Sequence, residues 1–272
     1  MSTQRKIFEE IMHTLIKPKS RQALKEVLEY QEELVKHGCV ELSLLPEARI
    51  DALQTRILTW NSRERERLIP PFQVDLVLPG VDTRLRTLHV QSRPYDVLRV
   101  VTPLDVSLEN GFDEAVKVFQ SLSPMDWHWY IIGEPADESY FEKLTDAFDS
   151  WGWEDNVSFL GNLPIEERIK LYMNMDVGFY PAKDSPLSPG LLEMAQLGLP
   201  IASRSIGFAK DLLVGDDDGL LFDKGEEVLA FFQRYSGREE TVRRKRDHPL
   251  LKRKWSQAAS EVRALSAETP SD

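Results

Sequence analysis

The stretch of sequence that decides the fold covers residues 177–203 and reads VGFYPAKDSPLSPGLLEMAQLGLPIAS. Its first four residues predict a buried strand, residues 190–197 predict a helix, and residues 201–203 predict a second strand. The loop between the first strand and the helix is rich in Ser and Pro. A strand, a helix and a second strand in this order are typical of a parallel sheet.

The same alternation extends in both directions along the chain. The further predicted strands cover residues 74–78, 96–101, 127–132, 157–160 and 219–222, and the further predicted helices cover residues 112–122, 140–151, 165–174, 209–214 and 226–235. Strands that alternate with helices of this length predict an α/β fold, in which a single doubly wound parallel sheet is covered by helices on both faces. We expect this domain to cover residues 73–236.

The N-terminal region, residues 1–72, has a different pattern. Apolar residues recur at helical spacing over residues 4–37, and residues 48–58 also look helical. We therefore expect a short helical region in front of the α/β domain. An alternative for residues 41–69 is that they are the remnant of a second domain, with a last strand at residues 55–60 followed by a helix.

The C-terminal region, residues 237–272, is expected to form a basic segment, a helix and a disordered tail. Within it, residues 238–254 carry eight Lys or Arg residues against three acidic residues, which gives a net charge of +5. The favoured interpretation is a solvated, basic helix end. The alternative is a surface patch that makes peripheral contact with anionic lipid headgroups or with an acidic partner.

The composition excludes several classes of protein. The formal net charge of −11 argues against general nucleic-acid binding, which needs a basic surface. The single cysteine, Cys39, excludes an internal disulfide and a cysteine metal cluster. No apolar run is long enough to span a membrane, and the charged N-terminus does not resemble a signal peptide. We therefore expect a cytoplasmic protein with no metal site and no cofactor.

Ligands of an open parallel sheet bind beyond the carboxyl ends of its strands, next to helix N-termini. In this chain the corresponding loops cover residues 102–111, 133–139, 161–165 and 181–190. The last of these loops leads into the helix predicted from residue 190. The free backbone N–H groups and the partial positive charge of that helix end favour a phosphate group.

Residues 191–203, LLEMAQLGLPIAS, resemble the nucleotide-sugar signature of retaining GT-B glycosyltransferases of the group 1 type. The resemblance continues in the same order along about residues 75–260, and its pieces are PGVD (79–82), YIIGEP (130–135), VSFLG (157–161), MDVGFYP (175–181), DGLLF (218–222) and KWS (254–256). It implies a Rossmann-like C-terminal domain of the GT-B type that binds a nucleotide-sugar donor. It also implies metal-independent glycosyl transfer and a truncated N-terminal, acceptor-binding half.

The resemblance implies roles for individual residues. Glu193 would accept hydrogen bonds from the ribose hydroxyls of the nucleotide, as a carboxylate does well. The backbone amides near Ser188, Gly190 and Leu191 would hold the diphosphate, and Gly133 and the loop after Gly161 would flank the base. The complete set of implied donor-binding residues is Gly133, Gly161, Ser185, Ser188, Gly190, Leu191 and Glu193.

Three positions depart from the family pattern. The family has a second Glu, which contacts the donor sugar, where this chain has Ser185. It also places an Arg and a Lys in the loop after the first strand of this domain, where this chain has Asp105 and Asn110. The loss of two cations that neutralise the leaving diphosphate would cost several kcal/mol of transition-state stabilisation. The cations that could replace them from other loops are Lys183, Arg204 and Lys210.

These departures leave three functions open. The chain is an active glycosyltransferase of shortened form, or one half of a split enzyme completed by a second subunit or by another copy of itself, or a pseudo-glycosyltransferase that serves as a binding or scaffold subunit. We assign no catalytic residue. A dinucleotide-dependent oxidoreductase is disfavoured because no G-x-G-x-x-G follows the first strand of the α/β domain.

Overall fold

The computed structural model divides the chain into two compact units, Met1–Asp82 together with Lys252–Asp272, and Thr83–Leu251. The helices predicted for residues 4–37 lie outside the described residues, and the domain boundaries proposed from the sequence stay predictions. The residues that the structure describes are 40–41, 57–59, 74–76, 81, 85, 88, 90–92, 96–183, 189–213, 219–236, 241–244 and 246–267.

Three short parallel strands lie in the first unit, in the order β1-β2-β3. The prediction of a helix over residues 48–58 is wrong at its C-terminal end, whereas the alternative of a strand at residues 55–60 agrees with β2. We expected β3 to begin the α/β sheet, but it pairs with β2, because a local apolar run does not determine which partner a strand finds. The bounds are β1 (Val40–Glu41), β2 (Ile57–Thr59) and β3 (Val74–Leu76).

The second unit is built on a six-stranded parallel sheet with the order β7-β6-β5-β8-β9-β10. A separate antiparallel pair joins β4 (Gln91–Ser92) to β11 (Thr241–Val242). The strand order of the large sheet reverses between β5 and β8, which is the doubly wound arrangement predicted from the sequence. Its strands are β5 (Leu98–Thr102), β6 (Trp127–Ile131), β7 (Val157–Phe159), β8 (Val177–Tyr180), β9 (Ile201–Arg204) and β10 (Gly219–Phe222).

Helices flank this sheet and alternate with its strands. None of the helices in the described part of the chain is long and apolar enough to cross a membrane. The helices of the second unit are α1 (Phe112–Gln120), α2 (Glu138–Trp151), α3 (Ile165–Met173), α4 (Pro189–Gln196), α5 (Gly207–Leu213) and α6 (Gly225–Tyr235). A short 3-10 helix covers Pro249–Lys252, and α7 (Trp255–Ala267) follows it.

An aromatic core attaches α1 to the sheet. Strands β5 and β8 are buried along their whole length, as expected for the centre of a parallel sheet. Phe119 of α1 stacks on Trp129 of β6 with ring centroids 4.4 Å apart. The Trp129 indole N–H in turn donates to the Thr102 hydroxyl at 2.9 Å. These contacts attach the last turn of α1 to β6, and the hydrogen bond links β6 to the end of β5.

Two arginines of the basic segment are buried, which corrects part of the surface-patch interpretation. Arg243 and Arg246 are 8% and 7% exposed, so neither contributes to a surface patch. Burial lowers the pKa of Arg243 to about 10. Its guanidinium donates to three backbone carbonyls at the end of α3, those of Tyr172, Met173 and Met175. Arg243 therefore holds the C-terminus of α3, whose carbonyls have no partner within the helix.

Replacing Arg243 with Ala should lower the free energy of unfolding by about 3 kcal/mol, because three buried carbonyls lose charged donors. Urea denaturation measures this as a lower midpoint with an unchanged slope. Arg244→Ala is the matched control, because Arg244 is exposed, and it should change stability by less than about 0.5 kcal/mol. Equal stability of the two variants would contradict this role for Arg243.

Candidate functional site

The candidate site lies at the carboxyl edge of the large sheet, by which we mean the ends of β5–β10 toward the C-terminus. The strand order reverses between β5 and β8, and ligands of doubly wound sheets bind beside such a reversal. Gly111 begins α1 with a φ of 76°, and a Cβ atom at this position would overlap the Pro181 carbonyl. The Lys183 N–H donates to the Glu109 carbonyl at 3.1 Å. The loops after β5 and β8 are thus in direct contact at their base.

The loops after β6 and β7 are tied to the loop after β5 by hydrogen bonds. The Gly133 N–H donates to the Gly161 carbonyl at 3.1 Å, so the structure brings these two predicted donor-binding residues together. The Glu134 N–H donates to the Asp105 carboxylate at 2.8 Å, and the Asn162 N–H donates to the Glu134 carboxylate at 3.0 Å. Three successive loops of the carboxyl edge therefore form one hydrogen-bonded unit.

Asp105 and Asn110, which occupy the positions of the two family cations, brace this unit. Asp105 accepts the Glu134 hydrogen bond through its side chain. Asn110 donates its side-chain amide to the Asp105 carbonyl at 2.7 Å, and its backbone N–H donates to the Ser107 hydroxyl at 3.1 Å. Both residues thus have a structural use within the loop after β5, and neither brings a positive charge to it.

Two of the three candidate replacement cations form ion pairs with acids in the first turn of α1. Lys183 lies 2.8 Å from the Asp113 carboxylate, and their side chains are 37% and 35% exposed. Arg204, at the end of β9, pairs with Glu114. Lys210 is exposed on α5. Two of the three cations named from the sequence therefore lie at the carboxyl edge, and both are neutralised there.

The acids of this edge also affect Tyr140, which the sequence analysis did not single out. Tyr140 lies in the first turn of α2, and its hydroxyl is buried. Burial, and then the negative charges of Asp113 and Glu109, raise the pKa of Tyr140 to about 12. The negative charges of Asp113 and Glu109 contribute less to this shift than burial does, and the same charges would repel a phosphate group beside α1.

Glu193, the predicted ribose ligand, is buried at the start of the second turn of α4 and is 7% exposed. Its carboxylate forms a bidentate ion pair with Arg168 of α3: Arg168 Nε donates to Oε2 at 3.0 Å and Nη2 donates to Oε1 at 2.5 Å. The sequence analysis missed Arg168, because a charged residue on a helix is usually exposed and its spacing gives no sign of a partner.

Gly190 allows α4 to approach the loop after β5. A Cβ atom at Gly190 would lie 2.6 Å from the Pro103 side chain and 3.3 Å from the Tyr172 hydroxyl. Tyr172 is fully buried, and burial, followed by the charge of Glu193, raises its pKa well above the ordinary value. Leu191 is also buried, whereas Ser185 and Ser188 lie outside the described residues.

A comparison with known protein families bears on this site. Residues 100–233 match the sequence model of the family Glycosyl transferases group 1. The α/β domain of this chain is therefore similar in sequence to that family. The match includes every element that contributes to the carboxyl edge, from β5 to α6. A search of curated proteins gave no significant match.

Solved structures of glycosyltransferases share the fold of this chain. Sucrose-phosphate synthase from Thermosynechococcus elongatus has 15% sequence identity and a TM-score of 0.55, and the alignment covers 77% of this chain and 53% of that protein. HepE from Anabaena, solved with UDP-glucose, has 13% identity, a TM-score of 0.58 and coverages of 80% and 64%. A glycosyltransferase from Rickettsia africae has 11% identity, a TM-score of 0.58 and coverages of 92% and 79%.

These comparisons show that the α/β domain has the Rossmann-like fold of the C-terminal domain of GT-B glycosyltransferases. This chain spans only 53% of the sucrose-phosphate synthase and 64% of HepE, so the activities of the whole proteins are not carried over with the fold. Across the described ranges, no group of three or more His, Cys, Asp or Glu side chains could hold a metal ion.

Gly190→Ala should destabilise the domain by about 1–3 kcal/mol, because the new methyl group meets Pro103 and the overlap must be relieved by moving α4 or the loop. Gly225→Ala is the control: it also changes a glycine in a first helical turn, but the new Cβ atom would meet only the Val118 side chain, at 3.1 Å. Chemical denaturation of both variants measures the difference. If Gly190→Ala is as stable as Gly225→Ala, the contact between α4 and Pro103 is not tight.

Proposed function

We propose that this chain binds a nucleoside diphosphate sugar at the carboxyl edge and takes part in glycosyl transfer from it. The observation that carries the proposal is Glu193, a carboxylate that is buried near the N-terminus of α4 and held in a fixed orientation by Arg168. The match of the domain to the family model supports the same conclusion. HepE, which shares the fold, was solved with UDP-glucose, so uridine diphosphate sugars are the first donors to test.

The chemistry of the edge fits such a donor. A carboxylate accepts hydrogen bonds from two neighbouring hydroxyls, which suits the ribose of a nucleotide. The N-terminus of α4 favours a phosphate because the helix dipole places a partial positive charge there. The joined loops at Gly133 and Gly161 provide a fixed surface beside it for the base.

UDP-glucose should raise the melting temperature of the chain, because a ligand that binds only the folded state stabilises it. Glu193→Gln should weaken UDP binding by about 1.5–3 kcal/mol, the scale of hydrogen bonds to a charged group, and isothermal titration calorimetry measures this loss. Glu167→Gln, an exposed acid on α3, is the charge-matched control and should leave the affinity unchanged. If no nucleoside diphosphate or its sugar binds the wild-type chain, the proposal is wrong.

A second candidate function is binding of the nucleotide sugar without transfer. The observation that favours it is the lack of positive charge at Asp105 and Asn110, together with the pairing of Lys183 and Arg204 with acids. Transfer requires that developing charge on the leaving diphosphate be stabilised. Product analysis after incubation with UDP-glucose separates the two candidates, because a binding protein shows saturable affinity and forms neither a glycoside nor free glucose.

Asp113→Asn should tighten UDP binding about three- to tenfold, because it removes a repulsive charge and releases Lys183 toward the phosphates. The exposed pair that is lost contributes at most about 1 kcal/mol, so the fold tolerates the change. Asp149→Asn removes the same charge near the C-terminal end of α2 and should have no effect. Titrations at low and high salt check the mechanism, because the gain should shrink as salt screens the charges. Unchanged or weaker affinity would contradict it.

The need for a second subunit stays a prediction of the sequence analysis, as do peripheral membrane contact through residues 238–254 and a cytoplasmic location. We retain the partner in the proposal because the carboxyl edge supplies contacts for a donor, and efficient transfer also requires an acceptor held beside it.

A further inference from the structure

Tyr140 has a buried hydroxyl group that makes no hydrogen bond with any residue that the structure describes. The rest of the residue is well anchored: its ring packs against the apolar core of the domain, and its backbone N–H donates to the Asp137 carboxylate at the start of α2, at 3.0 Å. Buried hydroxyl groups usually have a partner, because their lost hydration is otherwise not replaced. The hydroxyl is therefore an unused hydrogen-bond donor at the carboxyl edge.

The first turns of α1 and α2 lie side by side at this edge. The loops that lead into them run in parallel: the Val106 N–H donates to the Glu134 carbonyl at 2.9 Å, and the Ala136 N–H donates to the Val106 carbonyl at 3.1 Å. Both helices begin shortly after this pairing. Tyr140 in the first turn of α2 is thereby placed near Asp113 in the first turn of α1.

The charge of Asp113 acts on the Tyr140 hydroxyl. Burial is the largest cause of the raised pKa of Tyr140, and the negative charges of Asp113 and then of Glu109 raise it further, to about 12. The phenol therefore keeps its proton at neutral pH and can donate it in a hydrogen bond to a carboxylate. Because Asp113 has the larger effect of the two acids, it is the candidate acceptor.

Asp113 has a different partner in the structure. Its Oδ1 atom accepts a hydrogen bond from the ammonium group of Lys183 at 2.8 Å, and both side chains are partly exposed. An exposed ion pair contributes little to stability and separates at low cost. The backbone N–H of Lys183 donates to the Glu109 carbonyl at 3.1 Å, so the main chain stays at the carboxyl edge when the side chain turns. A phosphate that attracts Lys183 would leave the Asp113 carboxylate without this partner.

We propose that Tyr140 is a positioning residue for Lys183: when the Lys183 side chain turns to the diphosphate of a bound donor, the Asp113 carboxylate turns to the Tyr140 hydroxyl. This role rests on the proposed function. A hydrogen bond to a carboxylate is stronger than one between neutral groups, and no other hydrogen bond of the Tyr140 hydroxyl has to break. The exchange gives Asp113 a second partner and so lowers the cost of releasing Lys183.

A direct contact between the Tyr140 hydroxyl and the ligand is the alternative. The burial of the hydroxyl argues against it, because a ligand that arrives from solvent cannot reach a buried oxygen without moving the residues that cover it. Asp113 belongs to the protein, and a change of its side-chain rotamer is sufficient to alter its partner.

The test is a double-mutant cycle that measures UDP binding to the full chain by titration calorimetry. We expect Tyr140→Phe to weaken binding about three- to tenfold, because Asp113 then loses its second partner. In an Asp113→Asn background, where no ion pair with Lys183 has to be exchanged, Tyr140→Phe should change the affinity by less than about twofold.

Glu109→Gln is the matched control for the cycle. It also removes a negative charge that acts on Tyr140, but Lys183 binds the carbonyl of Glu109 and not its carboxylate. Tyr140→Phe should therefore weaken UDP binding by the same factor in the Glu109→Gln background as in the wild type.

The melting temperature separates positioning from a structural role. Tyr140→Phe keeps the packed ring and removes a buried hydroxyl that has no partner in the described part of the chain, so the melting temperature without ligand should stay the same or rise. A lower melting temperature together with an unchanged affinity for UDP would show that the hydroxyl serves stability alone and would overturn the inference.

The remaining outcomes separate this inference from the proposed function. If Tyr140→Phe weakens UDP binding equally in the wild type and in the Asp113→Asn background, Tyr140 does not act through Asp113, and the inference is overturned while nucleotide binding stands. An affinity that Tyr140→Phe leaves unchanged has the same consequence. A wild-type chain that binds no nucleoside diphosphate overturns the proposed function and this inference with it.

Discussion

The pairing of β5 with β8 is the constraint on which the rest of the domain depends. Val100 of β5 lies opposite Val177 of β8, although the strands between them in sequence lie on the far side of β5. The chain leaves the two strands in opposite directions, and ligands of doubly wound sheets bind at the carboxyl edge beside such a reversal. The contacts of the site follow from the same pairing: Gly111 fits under Pro181, and Lys183 meets Asp113. A different strand order would separate all of these residues.

The loops of the carboxyl edge are held together by contacts between their own residues. Gly133 and Gly190 let backbone and side chains from different loops come into contact without an intervening Cβ atom, and the Asp105 and Glu134 carboxylates accept backbone hydrogen bonds from the loops beside them. Such a framework is largely formed before any ligand arrives, which reduces the entropy lost on binding. It also explains why Asp105 and Asn110 are suitable residues at positions where a catalytic loop would present cations: they stabilise the loop from within.

The sequence predicted the large sheet well because its strands are local features. Runs such as Val177–Tyr180 contain no charged residue and are buried throughout, as burial on both faces requires, and the glycine and proline positions mark the turns between the strands. The prediction from sequence failed where a strand pairing or a side-chain contact depends on residues far away along the chain. Val74–Leu76 has the pattern of a buried strand in either sheet, and only the pairing with β2 decides between them. Arg168 and Arg243 look like ordinary surface charges, because nothing in their local sequence indicates that Glu193 or the end of α3 will surround them. The family resemblance located Glu193, but it contained no information about the residue that orients it.

The charged residues at α4 and at α1 have different partners, and this difference affects whether the carboxyl edge could support glycosyl transfer. At α4, the positive charge of Arg168 is committed to the carboxylate that would recognise the ribose. At α1, Asp113 and Glu114 interact favourably with the positive end of their own helix and also neutralise Lys183 and Arg204.

Recognition of the nucleoside then relies on groups already in place, whereas stabilisation of a leaving diphosphate requires Lys183 or Arg204 to exchange a carboxylate for a phosphate. An exposed pair such as Lys183–Asp113 exchanges at little cost, while the more buried Arg204, which also lies over the Phe222 ring at 5.7 Å, is held more firmly. Of these two cations, Lys183 is therefore the one that could turn toward a phosphate at the lower cost.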